Sequence, residues 1–135
     1  MKSISLLLVD DDEIERMKFK KVCEKINTQH KISDAENGEK ALELLENPEN
    51  IYNIIISDLN MPKMDGFEFL KKLKSDIRFK FIPVIIMSTS SNIDDLKKCY
   101  EIDIAGYLIK PLQYQEYAKN ISFLLGYWAK NELLS

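Results

Sequence analysis

Side chains able to bind cations or transfer groups follow short apolar segments at distant points of the chain. The apolar run LLLV precedes Asp10–Asp12, and NIIIS precedes Asp58. Farther along, Ser88 ends the run VIIMS and Lys110 follows GYLI. Carboxylates can ligate a divalent cation or act as nucleophiles, and an ammonium group can hold an anion. Because adjacent carboxylates repel and are costly to bury, an acidic run directly after an apolar one calls for a compensating charge.

Apolar runs of β type alternate with amphipathic segments. Five runs predict strands: Ile4–Val9, Lys31–Ala35, Ile54–Ser57, Val84–Met87 and Gly106–Ile109. The segments between and after them repeat apolar residues every three or four positions, which predicts helices. Turn or capping residues precede three of these helices: Asn37-Gly38, Asp65-Gly66 and Asn92.

Five successive βα units predict an α/β fold, in which a five-stranded parallel sheet lies between two helical layers. The expected strand order is the flavodoxin-like 2-1-3-4-5, because six-stranded Rossmann winding needs another βα unit. Right-handed crossovers place the first and last helices on one face and the middle three on the other. Cys23 and Cys99 then lie on opposite faces as packing residues, so no disulfide is expected.

Composition narrows the class of protein. The 135 residues are 45% hydrophobic, enough for one domain, and the formal net charge of −3 disfavours binding to nucleic acid or anionic membranes. No run approaches the roughly 18 apolar residues of a membrane span, and the apolar run near the N-terminus is too short for a signal peptide. A cytoplasmic protein is expected.

In a parallel sheet the carboxyl ends of the strands meet at one edge, so Asp10 and Asp11 should converge with Asp58. Two unit charges ~4 Å apart repel by ~4 kcal/mol at an effective dielectric constant of ~20, so the cluster requires a cation. All-oxygen donors favour Mg²⁺, with Mn²⁺ as an alternative ion. Ser88 and Lys110 reach the same edge. The set suits phosphoryl transfer, with Asp58 as the candidate nucleophile.

At these residues the chain resembles the receiver domain of two-component response regulators, over about residues 3–126. Four segments carry the resemblance, in order and spacing: LLVDDDE, ISDLNMPKMDGFEFL, PVIIMSTSS and AGYLIKPL. The resemblance implies that Asp58 accepts a phosphoryl group from a histidine kinase or phosphotransfer protein. It also implies that Asp11, Asp58 and the backbone carbonyl of Asn60 ligate the metal, while Asp10 orients a metal-bound water.

The same resemblance implies roles for further residues. Lys110 would pair with phosphoryl oxygens, Ser88 would hydrogen-bond one of them, and Tyr107 would be an aromatic switch that rotates inward. Pro111 would follow a cis peptide bond. Thr89 departs from the alanine or glycine usual at its position, so a long-lived aspartyl phosphate is expected.

Residues 1–135 are expected to form a single, stand-alone receiver domain with a tail over 127–135. Its output would be a binding surface formed by the fourth helix, fifth strand and fifth helix, which contacts a downstream protein or a second copy. The aromatic tail resembles stand-alone regulators that pair with phytochrome-type kinases; its residues are Tyr127, Trp128, Leu133 and Leu134. Near the site, Ile14, Met17 and Lys18 are candidate determinants of kinase specificity.

Two other functions remain open. A fixed adaptor would not accept phosphate, although such proteins typically lack one of the charged residues that are present. A haloacid dehalogenase-type phosphatase needs a second acid two residues after the nucleophile, where this chain has Asn60. A signalling phosphoacceptor, rather than an enzyme, is therefore expected.

Several residues have simpler structural interpretations. Asp12 is expected to cap a helix, His30 to lie on the surface, and Trp128 to be partly buried. Tyr107 could equally pack its ring with the hydroxyl in water.

Overall fold

The computed structural model describes residues 3–26 and 29–133, in which five strands alternate with five helices. The strands are β1 (Ser5–Val9), β2 (Lys31–Ala35), β3 (Ile54–Ser57), β4 (Val84–Ser88) and β5 (Gly106–Ile109). The helices are α1 (Glu13–Ile26), α2 (Gly38–Glu46), α3 (Gly66–Ser75), α4 (Ile93–Ile102) and α5 (Tyr114–Ala129). Only the start of β1 and the end of β4 differ from the predicted strands, each by one residue.

The strands form one parallel sheet in the order β2-β1-β3-β4-β5, which confirms the predicted fold. Val9 at the end of β1 lies opposite Ala35 of β2 and Ser57 of β3. The next residues, Asp10 and Asp58, therefore leave the sheet side by side. This register is what brings two carboxylates distant in sequence to one edge.

Alternate residues of the strands enter two separate cores. Leu7 and Val9 pack under α2, α3 and α4, whereas Leu6 and Leu8 pack under α1 and α5. Cys99 belongs to the first core and Cys23 to the second, and both are free thiols, as predicted. Truncating a fully buried leucine here to alanine would cost about 2–5 kcal/mol, so both faces anchor the sheet firmly.

Side-chain caps fix where four helices begin. A carboxylate or amide oxygen accepts a hydrogen bond from a backbone N–H two or three residues later, at 2.8–2.9 Å. The capping residues are Asp12, Asn37, Asp65 and Asn92. These caps, all predicted from the sequence, start the helices directly after the loops at the carboxyl edge of the sheet.

His30 corrects one prediction, because it is buried rather than on the surface. Its Nδ1 accepts a hydrogen bond from the Ile4 N–H at 3.0 Å, just before β1. The Ile4 carbonyl meanwhile accepts from the Lys31 N–H at 2.8 Å. A neutral imidazole therefore satisfies a backbone donor at the start of the sheet, and burial lowers the pKa of His30.

Helix α5 continues to Ala129, so the first three residues of the expected tail are helical. Trp128 is partly buried against the α1/α5 core, as predicted, and its ring meets that of Tyr127 edge-on at 5.1 Å between centroids. Leu133 also packs against this core. Leu134 lies outside the described residues.

Candidate functional site

Backbone hydrogen bonds to neighbouring strands fix the two acidic residues at the sheet edge. The Asp58 N–H donates to the Val9 carbonyl at 2.9 Å, and the Asp10 N–H donates to the Ala35 carbonyl at 3.1 Å. The main chain of both residues thus continues the sheet ladder by one step. Their carboxylates start from rigid positions.

Asp10, Asp11 and Asp58 form a three-carboxylate cluster. Each offers one oxygen, and these oxygens lie within 4.8 Å of one another. Asp11 is exposed, whereas the side chains of Asp10 and Asp58 are only 7% and 13% exposed. Hard oxygen donors at this spacing fit Mg²⁺ or Mn²⁺, and within residues 3–26 and 29–133 this is the one such acidic, cysteine or histidine group.

Lys110 supplies a fixed cation beside the cluster. Its Nζ lies 2.8 Å from Oδ2 of Asp10 and 3.4 Å from Oδ2 of Asp58. The backbone N–H of Lys110 donates to the Ser88 carbonyl at 2.8 Å, which extends the β4–β5 pairing past the strand end. Lys110 thus bonds more closely to Asp10 and keeps a longer contact with Asp58.

The remaining hydrogen bonds engage the carboxylates of Asp10 and Asp58 differently. Both oxygens of Asp10 are engaged, because Oδ1 accepts from the Asp12 N–H at 3.0 Å and Oδ2 from Lys110. Oδ1 of Asp58 accepts from the Leu59 N–H at 2.7 Å, while its Oδ2 has only the long contact to Lys110. Of these two carboxylates, Asp58 therefore has the oxygen that is more available to an incoming group.

Charge and burial oppose each other at the site. Burial raises the pKa of Asp58, and the nearby charge of Asp10 raises it further. The charge of Lys110 and the hydrogen bond from the Leu59 N–H lower it, but the pKa stays above its ordinary value. Burial alone would lower the pKa of Lys110, but the hydrogen bond and charge of Asp10, with the charge of Asp58, raise it. Lys110 therefore stays protonated at neutral pH, and its single ammonium group faces a cluster of three carboxyl groups.

Ser88 and Tyr107 meet at the loop after β4. The Ser88 side chain is fully buried, and its Oγ accepts a hydrogen bond from the Ser90 N–H at 3.1 Å. The Tyr107 hydroxyl donates to the Ser90 carbonyl at 2.8 Å, so it is bonded to protein rather than left in water. Burial raises the pKa of Tyr107. Ser90 thus connects the two predicted switch residues.

The other predicted site residues lie at the rim. Thr89 and Asn60 are both exposed, next to Ser88 and Asp58 in sequence. On α1, Ile14 and Met17 are exposed, whereas Lys18 is partly buried with its Nζ 4.2 Å from the centre of the Tyr117 ring.

The peptide bond before Pro111 is trans, and no cis bond occurs in the described part of the chain. The expected cis bond at Pro111 is therefore wrong for this structure. Even before proline the trans form is favoured by ~0.5–1 kcal/mol. The chain leaves β5 in this form while the Lys110 backbone N–H keeps its bond to Ser88.

Sequence reasoning missed three residues at the site. Arg16 donates from Nη1 to the Asp10 carbonyl at 2.8 Å and from Nε to Asp34 at 3.0 Å. Asp34 was detectable as a charged residue inside the strand KISDA, but nothing in sequence pairs it with Arg16. Gly66 was interpreted only as a helix start, yet a Cβ there would lie 2.4 Å from the Asp58 carbonyl oxygen.

Comparison with known proteins is consistent with this geometry. A family model described as the response regulator receiver domain matches residues 6–122. The two-component response regulator ORR5 of Oryza sativa subsp. japonica is 34% identical over 120 residues, which cover 89% of this chain and 87% of that protein.

Two solved structures extend the likeness to the whole fold. The phosphorylated cyanobacterial phytochrome response regulator RcpA has 26% identity and a TM-score of 0.92, covering 98% of this chain and 99% of its own. The Mn²⁺-bound response regulator Rcp1 has 29% identity and a TM-score of 0.88, with the same coverage. Among the described residues, no helix is both long and apolar enough to span a membrane.

Proposed function

The chain belongs to the response regulator receiver domain family, and we propose that it accepts a phosphoryl group on Asp58 from a histidine kinase or phosphotransfer protein. One observation carries the proposal: three carboxylates converge within 4.8 Å, and the Lys110 Nζ contacts two of them. Receiver domains act as signalling phosphoacceptors and are generally not classed as enzymes.

The proposed step is in-line displacement at phosphorus. An oxygen of the Asp58 carboxylate forms a bond to phosphorus as the bond from phosphorus to the donor's histidine nitrogen breaks, and the electron pair of that bond returns to the imidazole. The Lys110 Nζ lies 3.4 Å from Asp58 Oδ2, so it can pair with the phosphoryl oxygens once the group is on Asp58. Because covalent demands on the protein are slight, positioning and charge compensation supply the catalysis.

We assign the cation site to Asp11, Asp58 and the backbone carbonyl of Asn60, with Asp10 acting through a water molecule. Mg²⁺ is the proposed ion and Mn²⁺ a substitute, supported by the oxygen-only donors and by Mn²⁺ in the similar protein Rcp1. Bound there, the ion would neutralise charge on the donor and acceptor oxygens. Without it, the excess negative charge around Asp58 opposes the approach of a phosphoryl group.

The proposed signal passes through Ser88 and Tyr107. To donate to a phosphoryl oxygen the Ser88 hydroxyl would move, and this would disturb the bond that its Oγ accepts from the Ser90 N–H. Ser90 also holds Tyr107 through its carbonyl. Phosphorylation would thereby shift the population of loop conformations after β4. Thr89, exposed beside this loop, is proposed to restrict the approach of water and so prolong the aspartyl phosphate.

The proposed output surface is formed by α4, β5 and α5. Five of its large apolar side chains are more than half exposed: Ile93, Tyr100, Ile109, Phe123 and Tyr127. Such a surface suits a downstream protein or a phosphorylation-dependent second copy, rather than nucleic acid or a membrane. We propose a single cytoplasmic receiver domain that signals by binding, with only slow loss of its own phosphoryl group as chemistry.

Intact-mass measurement after incubation with Mg²⁺ and acetyl phosphate tests the proposal. The wild-type chain should gain ~80 Da, Asp58→Asn should not, and EDTA should prevent the gain. Asp103→Asn is the matched control, because Asp103 is exposed and its left-handed backbone suits asparagine. Continuous release of phosphate would indicate a phosphatase, and neither adduct nor turnover would indicate a fixed adaptor.

A further inference from the structure

Arg16 links the acidic loop to the neighbouring strand. From the second turn of α1, its Nη1 donates to the Asp10 carbonyl at 2.8 Å and its Nε donates to Oδ2 of Asp34 at 3.0 Å. The side chain is 16% exposed, so it is held within the protein surface. A planar guanidinium can meet two acceptors in fixed directions, as it does here.

The bond to the Asp10 carbonyl also orients Asp11. The carbonyl of one residue and the N–H of the next belong to one rigid peptide plane. The Asp10 N–H is held by Ala35 and its carboxylate by Asp12 and Lys110, so Arg16 completes the set of contacts on this residue. Fixing the plane fixes the N and Cα atoms of Asp11, from which its exposed carboxylate leaves the main chain.

Asp34 holds Arg16 in place. It lies in β2 opposite Leu8 of β1, so its backbone is part of the sheet. Its other oxygen accepts from Lys20 Nζ at 2.7 Å. Arg16 is therefore anchored to a rigid strand. Lys20 binds the same Asp34 carboxylate, but within residues 3–26 and 29–133 no hydrogen bond joins it to Asp10.

We propose that Arg16 is a positioning residue for the cation site: by clamping the Asp10 carbonyl to Asp34 it presets the Asp11 carboxylate for the metal. This inference rests on the proposed function, because it presumes that Asp11 ligates a divalent cation. Arg16 itself touches neither the metal nor the phosphoryl group.

Charge and positioning predict opposite effects of removing Arg16. A guanidinium near three carboxylates repels an incoming cation, so its loss should tighten metal binding if charge alone matters. If Arg16 positions Asp11, its loss should weaken binding instead. Partners that orient metal ligands typically contribute about 10–100-fold in affinity. The direction of the change therefore separates the two accounts.

The experiment is a titration with Mn²⁺ followed by electron paramagnetic resonance of the free ion. Arg16→Met should bind Mn²⁺ about tenfold more weakly than wild type. Arg16→Lys should be intermediate, since an ammonium keeps the charge but cannot span both acceptors. Lys20→Met is the matched control: it removes a cation from the same Asp34, and its affinity should stay within about twofold of wild type.

Two further measurements keep the test decisive. The Mg²⁺ concentration giving half the maximal rate of adduct formation should rise in Arg16→Met, whereas a lower maximal rate at an unchanged Mg²⁺ requirement would overturn the inference. Urea unfolding checks that the variants are folded, and if Arg16→Met is not, Arg16→Lys decides by its affinity.

Equal or tighter Mn²⁺ binding by the folded Arg16 variant overturns the positioning role and leaves the proposed function intact. If the wild-type chain binds no Mn²⁺ and forms no adduct, the proposed function fails, and the inference fails with it.

Discussion

Gly66, the first residue of α3, packs directly against the main chain of Asp58 and Leu59. Replacing Gly66 tests how closely α3 packs against Asp58. An ideal Cβ at Gly66 would lie 2.4 Å from the Asp58 carbonyl oxygen and 2.6 Å from the Leu59 Cα, where ordinary contact begins at 3.4 Å. Both obstacles are backbone atoms, so neither can turn aside. The Gly66 N–H also donates to the Leu59 carbonyl at 2.7 Å, which draws the two segments together. Gly66→Ala must therefore push α3 and Asp58 apart by about 1 Å.

Overpacking of this kind costs about 1–3 kcal/mol of unfolding free energy. For a chain of this length, 1 kcal/mol corresponds to roughly 3–4 °C in Tm. The expected fall in Tm for Gly66→Ala is therefore about 3–12 °C. Adduct formation at Asp58 should slow as well, because a displacement on the order of 1 Å at a reacting group disturbs its alignment.

Two other glycines provide controls for the same substitution. At Gly38 the added Cβ would lie 2.9 Å from Cγ and Sδ of Met64 and 3.1 Å from its Cβ, side-chain rather than backbone atoms, so Gly38→Ala should cost less than Gly66→Ala. At Gly126, inside α5, nothing lies within 4 Å, so alanine should stabilise the helix by about 0.5–1 kcal/mol.

Thermal melts followed by circular dichroism, with intact-mass assays of the adduct, measure the series. The expected order of Tm is Gly126→Ala above wild type, then Gly38→Ala, and Gly66→Ala lowest. If Gly66→Ala melts at the wild-type temperature and is phosphorylated at the wild-type rate, the close packing of α3 against Asp58 is refuted.

Three further predictions concern the loop after β4, the buried histidine and the thiols. Thr89→Ala should speed loss of the phosphoryl group in a kinase-free decay assay, and an unchanged half-life would remove the proposed role of Thr89. Burial lowers the pKa of His30 in the folded protein, so as the pH falls the imidazole is protonated in the unfolded chain before it is protonated in the folded one. The free energy of unfolding should therefore decrease as the pH falls below about 6.5. The variant His30→Gln stays neutral, so urea titrations at pH 7.5 and 5.5 should show a smaller decrease in its unfolding free energy than in that of wild type. An equal decrease would contradict the burial of a neutral His30. Burial raises the pKa of Cys23 to about 12 and that of Cys99 to about 11, so iodoacetamide at pH 8 should label neither thiol in the native protein and both in urea. Rapid native labelling, followed by mass spectrometry, would count against this burial.

The meeting of Asp10 and Asp58 could be predicted because it depends on local patterns and one general rule. Each follows an apolar strand, and parallel strands end at a common edge. The capping oxygens of Asn37, Asp65 and Asn92 were predictable for the same reason, since a cap and its N–H lie within three residues of each other. Periodicity and turn chemistry thus determined the elements and the side of the sheet where the site lies.

Choices among nearby partners could not be predicted. That Lys110 lies 2.8 Å from Asp10 and 3.4 Å from Asp58 is a difference of well under 1 Å at the ends of flexible side chains. His30 is buried where its Nδ1 accepts from the Ile4 N–H, a residue remote in sequence.

The sequence by itself determined the fold, the position of the acidic edge and the residue types gathered there. Only the tertiary structure decided which carboxylate takes the lysine, which carbonyl Arg16 clamps and how closely Gly66 approaches Asp58. The physical reason is that secondary structure depends on residues a few positions apart within one element, whereas these contacts join different elements of the fold and depend on displacements smaller than 1 Å.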